Sequence, residues 1–185
     1  MEEIFKPNLS PREIIERGAF GGSYFGIDIG MEEEDYSTLF ESLFKDLDKE
    51  LYLSSKYTPK RNKFKIRSGM GYGYWRDMGW MREQDPRGWF QWYCNYYLGR
   101  RSVDDNRQIK RWNDFCGKEG RWRNNIYSKI YETGNWNTSP RVQQSLLHWG
   151  YEVNENDYNI WIEQIYSSKD WCQYAGMPSP YAYMK

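Results

Sequence analysis

Apolar residues recur at helical spacing along most of this chain. One stripe predicts a helix over residues 35–54 and consists of leucines at steps of four, namely Leu39, Leu43, Leu47 and Leu51. Similar stripes predict three further helices, over residues 104–115, 121–131 and 154–166. This periodicity is typical of amphipathic helices that bury one face, and it predicts a mainly α fold.

Three prolines mark the starts of other helices. Pro11, Pro86 and Pro140 each follow a serine or an aspartate, and a proline in the first turn removes no intrahelical hydrogen bond. Each of these segments then ends near a glycine, which commonly closes a helix. The predicted helices cover residues 10–17, 85–98 and 141–149.

Two segments lack helical spacing. Residues 20–29, which include the sequence GGSYF at 21–25, alternate apolar and small residues and predict a short strand or an extended arm. Residues 60–75 are basic and then glycine-rich, which predicts a loop or a short hairpin. The chain has 185 residues, enough for one core. We therefore predict a single compact helical cluster over residues 1–185 with an extended N-terminal GGSYF segment.

Composition narrows the class of protein further. Aromatic residues make up 19% of the chain, which excludes intrinsic disorder. The mean hydropathy is −0.99 and no apolar run is long enough to span a membrane, so we expect no membrane partner. Three cysteines form no CxxC motif, and the N-terminus lacks the apolar region of a signal peptide. These features predict an intracellular protein, cytoplasmic or nuclear, rather than a secreted one.

Charge is segregated along the chain although the formal net charge is zero. Residues 1–50 carry −8, residues 51–150 carry +11, and residues 151–185, an acidic helix and tail, carry −3. Either the acidic ends neutralise the basic, aromatic centre, or the centre presents a basic face to a polyanion. The second interpretation makes DNA or RNA the expected partner.

Eight basic residues of the centre are candidates for binding an anion or a nucleic-acid backbone, because arginine and lysine suit phosphate groups. They are Arg100, Arg101, Arg107, Lys110, Arg111, Arg121, Arg123 and Arg141. Helical spacing predicts that Arg107, Lys110 and Arg111 point outward. The alternative is structural: the two arginines after Gly99 would pair with nearby aspartates, and the other basic residues would lie on solvated helix faces.

Four aromatic residues are candidates for stacking against a base or another flat ligand, the alternative being that they fill the core. They are Trp89, Trp92, Tyr93 and Trp112. His148 is a candidate general acid or base, and the alternative is a packed histidine near a helix end. A lone histidine and scattered cysteines predict no metal site, and the glycines of residues 69–73 lack the pattern of a phosphate loop. We therefore expect no metal and no cofactor.

Three longer segments together resemble a family of uncharacterised proteins from bacteria, algae, plants, fungi and large viruses. They are DPRGWFQWYCNYYLGRR at residues 85–101, DDNRQIKRW at 104–112 and SPRVQQSLLHWGY at 139–151. GGSYF at residues 21–25 is similar to a GGTYF element of that family, and Asn95 departs from its pattern, which has a basic residue there. The resemblance implies no activity, but it implies that one group of residues acts together, namely GGSYF, Trp89, Trp92, Arg100, Arg101, Arg107, Trp112 and His148.

Three functions fit these observations. The first is a nucleic-acid-associated binding protein that uses the basic, aromatic-rich helical centre. The second is a small enzyme or ligand-binding protein whose aromatic pocket is rimmed by arginines and takes a planar anion or a nucleotide. The third is a structural or protein-interaction module in which the charge blocks serve assembly.

Overall fold

Helices build the protein, which we describe from a computed structural model that covers residues 5–30 and 36–167, with side chains to residue 165. The first four are α1 (Pro11–Glu16), α2 (Ser37–Leu43), α3 (Tyr72–Asp77) and α4 (Trp89–Tyr97). The other four are α5 (Asp105–Cys116), α6 (Arg121–Thr133), α7 (Pro140–His148) and α8 (Glu155–Ser167). In the described ranges an isolated bridge between Arg82 and Asp85 is the only β pairing, so the prediction of a mainly α fold is confirmed.

Capping residues account for several helix ends. The Ser10 side chain accepts a hydrogen bond from the Glu13 amide, and the Glu13 carboxylate accepts one from the Ser10 amide, which together form a capping box at α1. Further along the chain, α6 ends at Thr133, and the next residue, Gly134, has a left-handed φ of 65°. The predicted starts of α1, α6 and α7 agree with the structure within one residue.

The long helix predicted over residues 35–54 is wrong, because α2 ends at Leu43. The backbone turns at Asp46, whose φ of 65° no straight helix permits. This turn brings the Tyr52 ring to 5.2 Å from that of Phe40 and 5.0 Å from that of Phe44, measured between ring centroids. A continuous helix would keep these rings more than a turn apart, so aromatic packing outweighs the leucine stripe here.

The helix predicted from residue 85 begins later, at Trp89. Gly88 has φ 85° and ψ −149°, and its amide closes a turn on the Asp85 carbonyl at 2.8 Å. The Tyr24 hydroxyl then donates to the Arg87 carbonyl and accepts from the Gln91 amide at 3.0 Å. A tyrosine distant in the sequence therefore satisfies one of the free amides at the start of α4.

The GGSYF segment is a compact turn rather than an extended arm. It begins with a 3₁₀ turn over Phe20–Gly22, and the Gly21 amide donates to the Asn62 side chain at 2.7 Å. The Gly21 carbonyl accepts from the Thr58 amide at 3.0 Å, and a Cβ on Gly21 would lie 2.8 Å from the Tyr57 ring. Close approach to another loop therefore requires the glycine.

The segment predicted as a loop or hairpin, residues 60–75, contains no strand pair. It begins within a 3₁₀ turn over Pro59–Arg61 and ends within α3. This short helix was not predicted because its segment is rich in glycine, which disfavours helices. None of the six residues of α3 is buried. The helix therefore lies on the surface and carries Trp75 inward as its main contact with the core.

Aromatic side chains fill the hydrophobic core. The Phe5 ring is surrounded by five others at centroid distances of 5.3–6.4 Å, those of Trp89, Trp92, Tyr93, Tyr96 and Trp112. These contacts join the N-terminal segment to α4 and α5. No helix in the described part of the chain is long and apolar enough to cross a membrane.

Candidate functional site

A cavity of about 590 Å³ lies between the glycine-rich segment, the start of α4 and the facing ends of α5, α6 and α7. This volume falls in the usual range for small-molecule sites. Its walls are mostly aromatic, with the large rings of Phe20, Trp75, Trp80, Trp89, Trp122 and Trp149. A cavity of this size and composition is the strongest candidate for a functional site.

Arg87 is a buried arginine in the wall of this cavity. Its guanidinium donates to the Tyr36 hydroxyl at 2.8 Å and to the carbonyls of Tyr24 and Ile27 at 3.0 and 2.9 Å. These three bonds use Nε and Nη1, and Nη2 donates none within the described residues. No carboxylate in that part of the chain forms an ion pair with Arg87, and the three acceptors described for its guanidinium are all neutral.

Arg111 is the second arginine of the cavity. The prediction that it points outward is wrong, because it lies on the same face of α5 as Phe115 and is largely buried. Its guanidinium carbon lies 5.6 Å from the Trp80 ring centre and 5.4 Å from that of Trp149. Burial lowers the pKa of Arg111 to about 10, and repulsion from Arg107 lowers it as well. The group therefore stays charged at neutral pH in a site that disfavours charge.

Arg121 lies at the exposed edge of the same cavity, with its guanidinium 5.4 Å from the Trp122 ring centre. Asp114 is the one acidic residue of the lining, and its carboxylate accepts from Lys110 at 2.9 Å on the surface. The lining therefore combines three arginines with a single carboxylate that is already paired. Such a cavity carries a positive potential.

His148 lines the cavity, and its imidazole is hydrogen-bonded to the backbone. Its Nε2 accepts a hydrogen bond from the Phe20 amide at 3.1 Å, so the neutral ring carries its proton on Nδ1. The Phe20 ring stacks on the imidazole at 4.4 Å. Burial lowers the pKa of His148 to about 3, which keeps the ring neutral. This geometry favours the packed-histidine interpretation over the general acid or base.

Trp89 is the predicted stacking residue that lines the cavity. Its indole N–H is buried and has no hydrogen-bond partner among the described residues, which is unusual for a tryptophan. The other three predicted stacking residues lie in the core with their polar atoms satisfied. Trp92 donates to Asp105 at 2.9 Å, Tyr93 to the Leu9 carbonyl at 2.8 Å, and Trp112 to the Trp149 carbonyl at 2.8 Å.

Most of the predicted basic residues lie away from the cavity. Arg100 pairs with the buried carboxylate of Asp85, and not with Asp104 or Asp105. Arg101 donates to the Tyr96 carbonyl at 2.9 Å and stacks on the ring of that residue. Arg141 is exposed at the start of α7. These three arginines therefore do not contribute to the site.

Two further predicted residues hold acidic partners. Arg107 contacts Asp104 at 2.5 Å, and Arg123 contacts Asp157 of α8 at 3.2 Å. Burial alone would raise the pKa of Asp104, but the hydrogen bonds and charge of Arg107, together with a hydrogen bond from Gln108 and the charge of Arg82, outweigh it and lower the pKa. The pair with Asp157 belongs to the acidic C-terminal part, so that part neutralises some charge of the basic centre.

The sequence interpretation missed Arg87, Trp75, Trp80 and Trp149 as residues of the site. Arg87 comes directly before residues 88–99, which carry no charge at all. An arginine next to a long uncharged segment indicates that its cation can be buried together with that segment. Trp75 and Trp80 were hidden in a segment without periodicity, and nothing local placed them opposite α5.

The described residues contain no group of three His, Cys, Asp or Glu that could hold a metal ion. Cys94 and Cys116 are buried free thiols, whereas Cys172 and the predicted tail lie outside the described residues.

No protein-family model matches the chain, and neither curated proteins nor solved structures gave a match. The family resemblance therefore stays a prediction, and the cavity itself has to support a function.

Proposed function

We propose that this protein binds a small planar organic anion in the cavity between α4, α5 and α7. The observation that carries the proposal is a pair of largely buried arginines, Arg87 and Arg111, in one aromatic wall. Neither has a carboxylate within ion-pair distance in the described residues. Burial of an uncompensated charge costs several kcal/mol, and an anionic ligand offsets that cost when it enters.

The aromatic walls support a flat ligand. Rings of Trp80, Trp122 and Trp149 are half-buried, so each leaves part of its surface to the cavity. Stacking on such rings contributes about 1–3 kcal/mol for a nucleic-acid base.

Binding can be tested with isothermal titration calorimetry. Indole-3-acetate, benzoate and the nucleoside monophosphates serve as planar anions, and indole and the nucleosides serve as neutral counterparts. We expect at least one anion to bind and Arg111→Gln to weaken it by about tenfold or more, because a charge-assisted hydrogen bond contributes about 1.5–3 kcal/mol. Arg141→Gln is the matched control, since Arg141 is exposed outside the cavity.

Two results would contradict the proposal. One is the absence of binding for every planar anion at millimolar concentration with the wild-type melting temperature intact. The other is an equal effect of Arg111→Gln and Arg141→Gln on the binding that is observed. Far-UV circular dichroism of both variants establishes that each is folded.

Nucleic-acid binding is the second candidate, and it rests on the net charge of +11 over residues 51–150. Fewer basic residues support this candidate than the net charge indicates. Four of the eight predicted basic residues pair with carboxylates of this chain, namely Arg100, Arg107, Lys110 and Arg123. Contact with about five phosphates of a duplex would give a log–log salt slope near −4. No binding to DNA or RNA at low salt would remove this candidate.

A further inference from the structure

A second, smaller cavity of about 220 Å³ adjoins the larger one. The two share a wall formed by Phe20, Trp75, Arg87 and His148, together with Tyr24, Gly69 and Met70. Arg87 therefore borders both spaces.

The chemistry of the smaller cavity differs from that of its neighbour. Its lining adds the polar residues Ser23, Tyr57, Arg67, Ser68 and Tyr72 and includes no aspartate or glutamate. Two of the five already donate elsewhere, since Ser23 donates to the Phe20 carbonyl at 3.2 Å and Ser68 to the Arg141 carbonyl at 2.7 Å. Tyr57, Arg67 and Tyr72 remain as donors for a guest, and Tyr57 and Arg67 pack against each other.

Tyr57 and Arg67 are held in place by their neighbours. Asn62 donates to the Tyr57 hydroxyl at 2.8 Å, which leaves the hydroxyl proton without an acceptor in the described part of the chain. The Arg67 guanidinium stacks on the Tyr57 ring at 4.5 Å and forms no ion pair with any described carboxylate. Together with Arg87, Tyr57 and Arg67 form a group of three lining residues that have donors to spare and no carboxylate partner among the described residues.

We infer that the small cavity takes a phosphate and that the ligand is a nucleoside monophosphate, with its base stacked in the larger cavity. This inference rests on the proposed function and adds a second position to it. A phosphate has three terminal oxygens, which matches donors from the three residues Tyr57, Arg67 and Arg87. Two arginines with free N–H groups suit phosphate in particular because the planar guanidinium can bind two of its oxygens.

The test compares nucleoside monophosphates with their unphosphorylated nucleosides by calorimetry, in wild-type protein and in two variants. We expect each monophosphate that binds to do so at least tenfold more tightly than its nucleoside. Arg67→Gln should remove most of that difference and leave the nucleoside affinity unchanged. Arg67 is exposed, so this substitution should not alter the melting temperature. Lys65→Gln is the matched control, because Lys65 is exposed on the same segment and lines neither cavity.

The outcomes separate the inference from the function on which it rests. If indole-3-acetate binds in an Arg111-dependent manner, while monophosphates bind no better than nucleosides, the proposed function stands and the inference fails. A phosphate preference that Arg67→Gln leaves intact also overturns it. The absence of binding by every planar anion overturns both.

Discussion

Two groups of aromatic side chains in this protein have similar composition and different surroundings. The aromatic core, formed by Phe5, Trp92, Tyr93 and Trp112, is packed ring against ring, and its indole and hydroxyl groups have acceptors in the chain. The cavity wall, formed by Trp75, Trp80, Trp122 and Trp149, is half-buried. It borders arginines that have no carboxylate partner in the part of the chain that the structure describes.

The contrast teaches that neighbours decide the role of a tryptophan. A buried ring with a satisfied N–H contributes to stability, and its removal leaves a hole. A half-buried ring beside an unpaired cation contributes little to the core and leaves a surface on which a ligand can stack. The following substitutions test whether the two groups behave as differently as their surroundings indicate.

Trp92→Ala should have the largest effect on stability. The side chain is fully buried and its indole donates to Asp105. Its removal should lower the free energy of unfolding by about 3–5 kcal/mol. Chemical denaturation followed by circular dichroism measures this value. A loss below about 1 kcal/mol would show that the aromatic core is not the stabilising region.

Arg100→Gln should come next, because it leaves the fully buried carboxylate of Asp85 without its ion-pair partner. Asn95 still donates to that carboxylate at 3.0 Å, and a third of the Arg100 side chain is exposed. We therefore expect a loss of about 2–3 kcal/mol, below the value for a fully buried pair. Arg101→Gln is the control and should change stability by less than about 0.5 kcal/mol. Equal effects of the two substitutions would contradict the ion-pair assignment.

Acidification should destabilise the protein through His148. Its pKa is about 3 in the folded protein and 6.5 when unfolded, so the unfolded state binds the proton first as the pH falls. The stabilisation is complete above pH 6.5 and is lost progressively down to about pH 3, with about 2 kcal/mol lost between pH 7 and pH 5. Stability measured across this range should become flatter in His148→Gln. The pKa of Asp104 is lowered from its ordinary value of 3.8, so the stabilisation from that carboxylate is lost only near and below pH 3.8, at the acidic end of this range. An unchanged pH profile in the variant would contradict the role given to His148.

Trp80→Ala should have the smallest effect on stability and a clear effect on binding. Trp80 is half-buried and contacts Arg111 and Tyr74 rather than the main core. We expect unfolding to change by no more than about 1 kcal/mol. The affinity for a planar anion should fall by about fivefold or more, since a stacked ring contributes about 1–3 kcal/mol. A melting temperature as low as that of Trp92→Ala would place Trp80 in the core group.

Local signals in the sequence predict much of the fold. Capping residues place α1, and apolar stripes place the ends of α5 and α6 within one or two residues. Where the prediction is wrong, contacts between distant residues decide the structure. Tyr52 packing on Phe44 shortens α2, and the Tyr24 hydroxyl organises the start of α4.

The candidate site was less accessible to sequence reasoning. An arginine-rimmed aromatic pocket was among the hypotheses, and the cavity contains these residue types. Of the eight predicted basic residues, however, only Arg111 and Arg121 line it. The helical period of α5 describes one helix by itself and says nothing of Trp80, which arrives from another segment to cover Arg111. Arg87 lies in residues 85–101, of which only aromatic residues and the two arginines after Gly99 were predicted to bind a ligand.

The position of Phe5 has a spectroscopic consequence. Its ring lies within 6.4 Å of five other ring centroids, three of which approach with their planes nearly perpendicular to its own. Circulating π electrons in these neighbours should displace the proton resonances of Phe5 far from their random-coil positions in a nuclear magnetic resonance spectrum. Those lines would report the docking of the N-terminal segment on α4 and α5 without any substitution or label. Their return toward random-coil positions on warming would reveal whether this segment leaves the core before the rest of the protein unfolds.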